Sequence, residues 1–88
     1  MLPPRRLVEI RKSLDMSQEE MARLLGVVFA TVNRWENGHS SPTGAAMEVY
    51  RALDMALRAG KSARQILGTE PTDLGRLYHR IFRVAYGG

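Results

Sequence analysis

The chain has 88 residues, a net charge of +4 and no cysteine. That length supports one domain with a modest core, and the missing cysteines exclude disulfides, thiolate metal sites and thiol catalysis. Thirteen Lys and Arg stand against nine Asp and Glu, with only Lys12 and Lys61 as lysines. This bias suits a polyanionic partner, because guanidinium makes planar, forked contacts with phosphate.

No apolar run approaches a membrane span and no signal peptide is visible, so a soluble, cytoplasmic protein with no membrane partner is expected. No stretch alternates apolar and polar residues for long, whereas helical spacing recurs throughout. A first helix is expected from Pro3 or Pro4, with Leu7, Ile10 and Leu14 on its buried face. Asp15 breaks it. Ser17 and Glu20 form a capping box that opens a second helix, whose inner face is Met21, Ala22 and Leu25 and which Gly26 stops. A third helix is expected over residues 28–37, ended by Gly38. Thr43 is expected to cap a fourth helix reaching about residue 59, with Ala46, Val49, Tyr50, Leu53 and Leu57 inward and Gly60 at its end. Ser62 opens a short fifth helix, residues 69–75 connect, and a last helix carries Leu74, Leu77, Tyr78, Ile81, Phe82 and Ala85.

On the third helix, a turn of about 100° per residue puts Val28, Val32 and Trp35 on one side. Phe29, Ala30, Asn33, Arg34 and Asn37 fall on the other. The first set is expected to pack on the second helix. The second set then faces outward, with short or forked side chains and no acid, which suits the base edges of a DNA major groove. Counted from Gln18, apolar residues occupy the fourth, eighth, tenth, fifteenth and eighteenth places, with small Ala22 and Gly26 at the fifth and ninth. Small residues there let two helices cross closely and the chain turn tightly.

This stretch resembles the helix-turn-helix of the Cro/Xre family, the lambda-repressor-like DNA-binding domains. The match rests on "SQEEMARLLGV" and on "TVNRWENG" followed by "SSP", within residues 7–57. The resemblance implies an all-α, lambda-repressor-like bundle of five or six short helices. It also implies a homodimer and a palindromic operator. By position, Phe29, Ala30 and Arg34, with Asn33 beside them, match base-contacting places. Thr31 and Asn37 match backbone-contacting places, Gln18 a phosphate contact, and Arg11 with Glu36 an internal ion pair. Two departures stand out: Val28 occupies the place of a capping Ser or Thr, and Asp15 that of a frequent glycine.

In the loop after the third helix, His39 and Ser41 are further phosphate candidates, and Arg5 or Arg6 is a candidate for grazing the backbone. His39 and His79 stand alone, so neither metal nor cofactor is expected, and no nucleophile or paired-acid constellation suggests an enzyme. Arg76, Arg80 and Arg83 lie on one face of the last helix as a solvated stripe. Its wide apolar face (Leu74, Leu77, Tyr78, Ile81 and flanking Phe82) is expected to pair with a second copy rather than close the monomer's core. The chain thus divides into a DNA-binding helix-turn-helix domain over residues 1–68 and a dimerisation or partner-binding helix over residues 69–88. The expected function is a sequence-specific transcriptional regulator that acts as a repressor on double-stranded DNA. The alternatives are an antitoxin with a toxin partner, or a protein-interaction module of the same fold.

Overall fold

A computed structural model describes residues 2–87. These form six helices and no strand: α1 (Pro4–Ser13), α2 (Gln18–Leu25), α3 (Phe29–Glu36), α4 (Gly44–Arg58), α5 (Ala63–Leu67) and α6 (Leu74–Tyr86). No helix is long and apolar enough to cross a membrane.

Local chemistry sets most of the boundaries. Pro4 opens α1, where its missing N–H costs nothing. Ser17 and Glu20 cap α2 reciprocally at 2.8 and 3.0 Å, and Ser62 with Gln65 does the same for α5. Thr43 stands at the N-cap of α4 as expected, but its hydroxyl makes no capping bond.

The first four helices all end on one device. The residue after a positive-φ position donates back five residues, and the positive-φ residue itself donates back three: Met16 to Arg11 and Asp15 to Lys12, Val27 to Ala22 and Gly26 to Arg23, His39 to Arg34 and Gly38 to Trp35, Lys61 to Ala56 and Gly60 to Leu57. The device needs a left-handed residue. Gly26 supplies it at φ 72° without steric cost, and Asp15 supplies it at φ 56°, the one non-glycine with positive φ among the described residues. The replacement of a glycine by Asp15 therefore leaves the turn intact.

The core gathers around α4, where Ala46, Val49, Tyr50, Ala52, Leu53 and Ala56 are buried. Leu7, Ile10 and Leu14 of α1 meet Met21, Ala22, Leu24 and Leu25 of α2 and Val32 and Trp35 of α3. Trp35 sets its edge against Tyr50 at 6.1 Å between ring centroids. Arg6 ties α1 to α4 through Asp54 at 2.6 Å. Arg6 is thereby engaged inside the bundle, which removes it as a candidate backbone contact.

The last helix corrects one expectation. It packs chiefly on α4 and secondarily on α5. Ile81 is 0% exposed within the monomer, so it cannot belong to a dimer interface. Leu77, Tyr78 and Phe82 are half-buried against the same core, and the Tyr78 hydroxyl donates to the Leu24 carbonyl of α2. Leu74 alone of the five is an exposed apolar side chain, at 44%.

Candidate nucleic-acid interface

Outward display on α3 follows from where the helix begins. Val28 is its N-cap, with extended backbone at φ −82° and ψ 157°, and has no side-chain capping bond. Because Val28 precedes the helical turn, the wheel does not apply to it. It points outward at 69% exposure instead of packing with Val32 and Trp35, and half-buried Val27 packs on the core instead. The helix proper, Phe29–Glu36, is one residue shorter at each end than the sequence suggests.

Val32 and Trp35 are buried, as their spacing predicts, and they anchor the inner face. On the outer face Phe29 is 47% exposed, and Ala30, Arg34 and Asn37 are exposed. Thr31 and Asn33 are half-buried flanks. Arg34 forms no ion pair or side-chain hydrogen bond among the described residues, so its fork is uncommitted. His39 and Ser41 lie exposed in the following loop.

A directional chain of polar contacts braces this face from below. Arg11 grips Glu36 with two bonds, Nε to Oε2 at 2.7 Å and Nη2 to Oε1 at 2.9 Å, and its Nη1 donates to the Met16 carbonyl at 3.0 Å. The Gln18 Nε2 also donates to Glu36 Oε1, at 2.9 Å. An ionised carboxylate only accepts, so Gln18 must turn its nitrogen toward Glu36 and its oxygen outward. That oxygen receives Asn33 Nδ2 at 3.3 Å, and Asn33 Oδ1 receives Asn37 Nδ2 at 3.0 Å. One buried charge therefore orients three amides along α2 and α3.

The electrostatics agree with this layout. Glu36 is 4% exposed and Arg11 14%, so their attraction is weakly screened. The bonds to Glu36 raise the Arg11 pKa further above its ordinary value. Burial drives the nearby Tyr50 phenol strongly upward, Glu36 adding to the effect and Arg11 opposing it. The Tyr50 hydroxyl is buried without a hydrogen-bond partner among the described residues.

The expected site residues thus fall into two groups. Phe29, Ala30, Arg34, His39 and Ser41 are free at the surface with half-buried Thr31 beside them, while Gln18, Asn33 and Asn37 are partly consumed by the brace. Three partners were missing from the sequence-level picture: the Met16 carbonyl, Asp54 and the Leu24 carbonyl. The first is implicit in the α1 stop signal, whereas the other two are long-range and leave no local trace.

Comparison with known proteins agrees with this geometry. A helix-turn-helix family model matches residues 7–48, the span from α1 to the first turns of α4. The chain is 36% identical over 52 residues to Antitoxin HigA-2 of Vibrio cholerae serotype O1, which covers 59% of this chain and 50% of that protein. The chain therefore spans about half the length of that relative. No solved structure matches. With α2 and α3 packed together and an exposed strip on α3, residues 7–48 form a Cro/C1-type helix-turn-helix domain.

Proposed function

We propose that this protein is a sequence-specific regulator of transcription that inserts α3 into the major groove of double-stranded DNA. The observation that carries this function is the uncommitted outer strip of α3, Phe29, Ala30 and Arg34, on a helix fixed from below by Val32, Trp35 and the Glu36 brace. Arg34 supplies hydrogen-bonded discrimination at a guanine, and Phe29 and Ala30 touch thymine methyl groups. Thr31, Asn37, His39 and Ser41 contact the phosphate backbone, and Gln18 adds a phosphate contact from the start of α2.

One helix reads only a few base pairs, so the functional unit is a twofold dimer with its two reading helices about one DNA turn, roughly 34 Å, apart on a palindrome. Leu74 and Leu77 supply the interface, with Tyr78 and Phe82 contributing only their uncovered edges. The two leucines line an apolar groove of about 400 Å³ with Met16, Leu24 and Leu67. Glu20 and Arg23 border that groove on α2. Occupation of a promoter by such a dimer excludes polymerase, giving repression.

Selection of bound DNA from a random pool, at two salt concentrations, tests this function. A palindrome should be enriched, with affinity falling steeply as salt rises because arginines release counterions from phosphate. Arg34→Ala should relax preference at one position per half-site, by roughly 1–3 kcal/mol. Failure to enrich any site refutes the regulator and favours an interaction module of the same fold. Leu74→Asp should shift the protein to monomer in sedimentation. A second function is favoured by the match to Antitoxin HigA-2: an antitoxin that represses its own operon and binds a toxin through the same groove. Co-purification of a second chain encoded beside this one distinguishes it.

A further inference from the structure

The arginines of α6 are not the plain solvated stripe that their spacing suggests. The connector after α5 folds along them and borders an open cleft of about 510 Å³, within the size range of small-ligand sites. Arg76, His79, Arg80 and Arg83 form one wall, and Glu70 is the acid within it. Asp73 pairs with Arg76 at the outer edge, at 3.6 Å. Arg83 also lines a second, adjoining hollow with Lys61, which extends the basic track.

Two features show that the cleft is built. Arg80 donates from Nε to the Gln65 carbonyl at 3.3 Å, which fixes its guanidinium between connector and helix. Gly68, at φ 79°, lies directly on that guanidinium: a Cβ there would sit 3.3 Å from Arg80 Cζ. Any other residue at Gly68 is strained in its backbone and presses on the arginine as well. Along the helix axis Arg76 and Arg83 lie roughly 10 Å apart, at 1.5 Å per residue. That span exceeds what one small anion can bridge and fits two adjacent anionic groups.

We infer that this cleft binds a compact polyvalent phosphate, one bearing at least two linked phosphate groups, independently of the DNA-reading face. Arg76, Arg80 and Arg83 line one cleft against Glu70, with Asp73 at its edge, and the cationic excess favours a ligand that offers forked acceptors to guanidinium. This site is separate from the α3 strip: α6 is held on α4 and α5 while α3 is held on α1 and α2.

The test is an NMR titration of the ¹⁵N-labelled protein with inorganic pyrophosphate at constant ionic strength, with orthophosphate and a nucleoside diphosphate alongside. Pyrophosphate should give saturable shifts centred on Gly68, Thr69 and the arginine side chains of α6, and should bind at least ten times tighter than orthophosphate. A nucleoside diphosphate binding there as tightly or more tightly identifies a nucleotide as the source; weaker binding identifies a free polyphosphate. Both uphold the inference. Arg76→Gln with Arg83→Gln, at two exposed side chains, should weaken binding at least tenfold without moving the melting temperature. Glu70→Gln should tighten it, a gain that a purely structural role does not produce. The inference falls if no shift saturates, if shifts centre on Phe29–Glu36, or if Glu70→Gln leaves affinity unchanged. It also falls if the double variant weakens duplex binding instead, which would make these arginines DNA contacts. Arg34→Ala should leave pyrophosphate binding intact, so failure of the proposed function and failure of this inference are separable.

Discussion

Glu36→Gln changes one oxygen for one nitrogen and should destabilise the domain severely. Glu36 is 4% exposed and accepts from Arg11 twice and from Gln18 once. The neutral amide removes the charge that compensates Arg11, and it also has only one accepting end. Arg11 contacts both carboxylate oxygens and Gln18 shares Oε1 with it, so whichever end carries the nitrogen opposes an Arg11 N–H. With the oxygen at the Oε1 position the Gln18 bond survives and Arg11 Nε faces a second donor. Breaking a buried pair costs about 3–5 kcal/mol. Arg11 keeps its bond to the Met16 carbonyl and is 14% exposed, so the lower end applies, about 3 kcal/mol. A domain of 88 residues has a total stability of roughly 4–13 kcal/mol. At roughly 4–8 °C per kcal/mol, the melting temperature should fall by about 12–24 °C. Urea denaturation of Glu36→Gln, Arg11→Met and the Arg11→Met/Glu36→Leu double variant measures this directly. The double variant should recover much of the loss, because an apolar pair leaves no buried charge unmatched. A single-variant loss below about 1 kcal/mol, or strict additivity in the cycle, would refute the view that this pair locks α1 to α3.

Val28→Ser should stabilise the domain by about 1 kcal/mol, seen as a higher urea midpoint. The N-cap backbone is already extended and Val28 buries little, so a hydroxyl gains a bond and loses almost no packing. Tyr50→Phe should also raise the midpoint, by about 1 kcal/mol, since it deletes a buried hydroxyl without a partner and keeps the ring that Trp35 contacts; a drop would reveal a bond to that hydroxyl. The Ser17 amide and hydroxyl hold the Glu20 carboxyl below its ordinary value of 4.5. A carboxyl depressed in the folded state stabilises above the unfolded pKa, and this is lost as pH falls through the folded one. Glu20→Gln should therefore lower stability slightly at neutral pH and flatten its decline below about pH 4.5, as urea titrations across that window would show.

The order of helices was legible because it is written in local signals: the Ser17–Glu20 and Ser62–Gln65 boxes, the glycine stops, and apolar residues at helical spacing. The brace was legible in part. Arg11 and Glu36 were expected as a pair, but the continuation through Gln18, Asn33 and Asn37 depends on how α2 crosses α3. Val28 was misplaced because a wheel assigns directions only to residues inside the helical turn, and Val28 is the residue before it. Ile81 was misplaced for another reason. An amphipathic helix announces that it will bury a face, not against whom, and α4, on which α6 packs, lies well back in the chain. Arg6 with Asp54, separated by 48 positions, and the closure of the connector over Arg80 are likewise products of tertiary packing.

The brace changes how the reading face should work. Asn33, expected as a secondary base contact, gives one amide hydrogen to Gln18 and takes one from Asn37. It retains one hydrogen and one lone pair, but in an orientation that Glu36 dictates from below. Any bond Asn33 makes to a base must fit that fixed direction, so it can confirm a register but cannot adapt to alternatives. Phe29 and Ala30 have no polar side-chain atoms and respond only to shape and methyl groups. Arg34 alone combines a forked donor with freedom to move. Hydrogen-bonded discrimination in the proposed complex therefore concentrates on one residue per half-site, while the apolar pair demands that the helix dock at a constant depth. A methyl contact gains only when surfaces meet closely, and its loss with separation is steep. That requirement explains why so short a helix carries both a buried Trp35 and a charge-anchored amide chain beneath it: the less a reading face can bond, the more rigidly it has to be held.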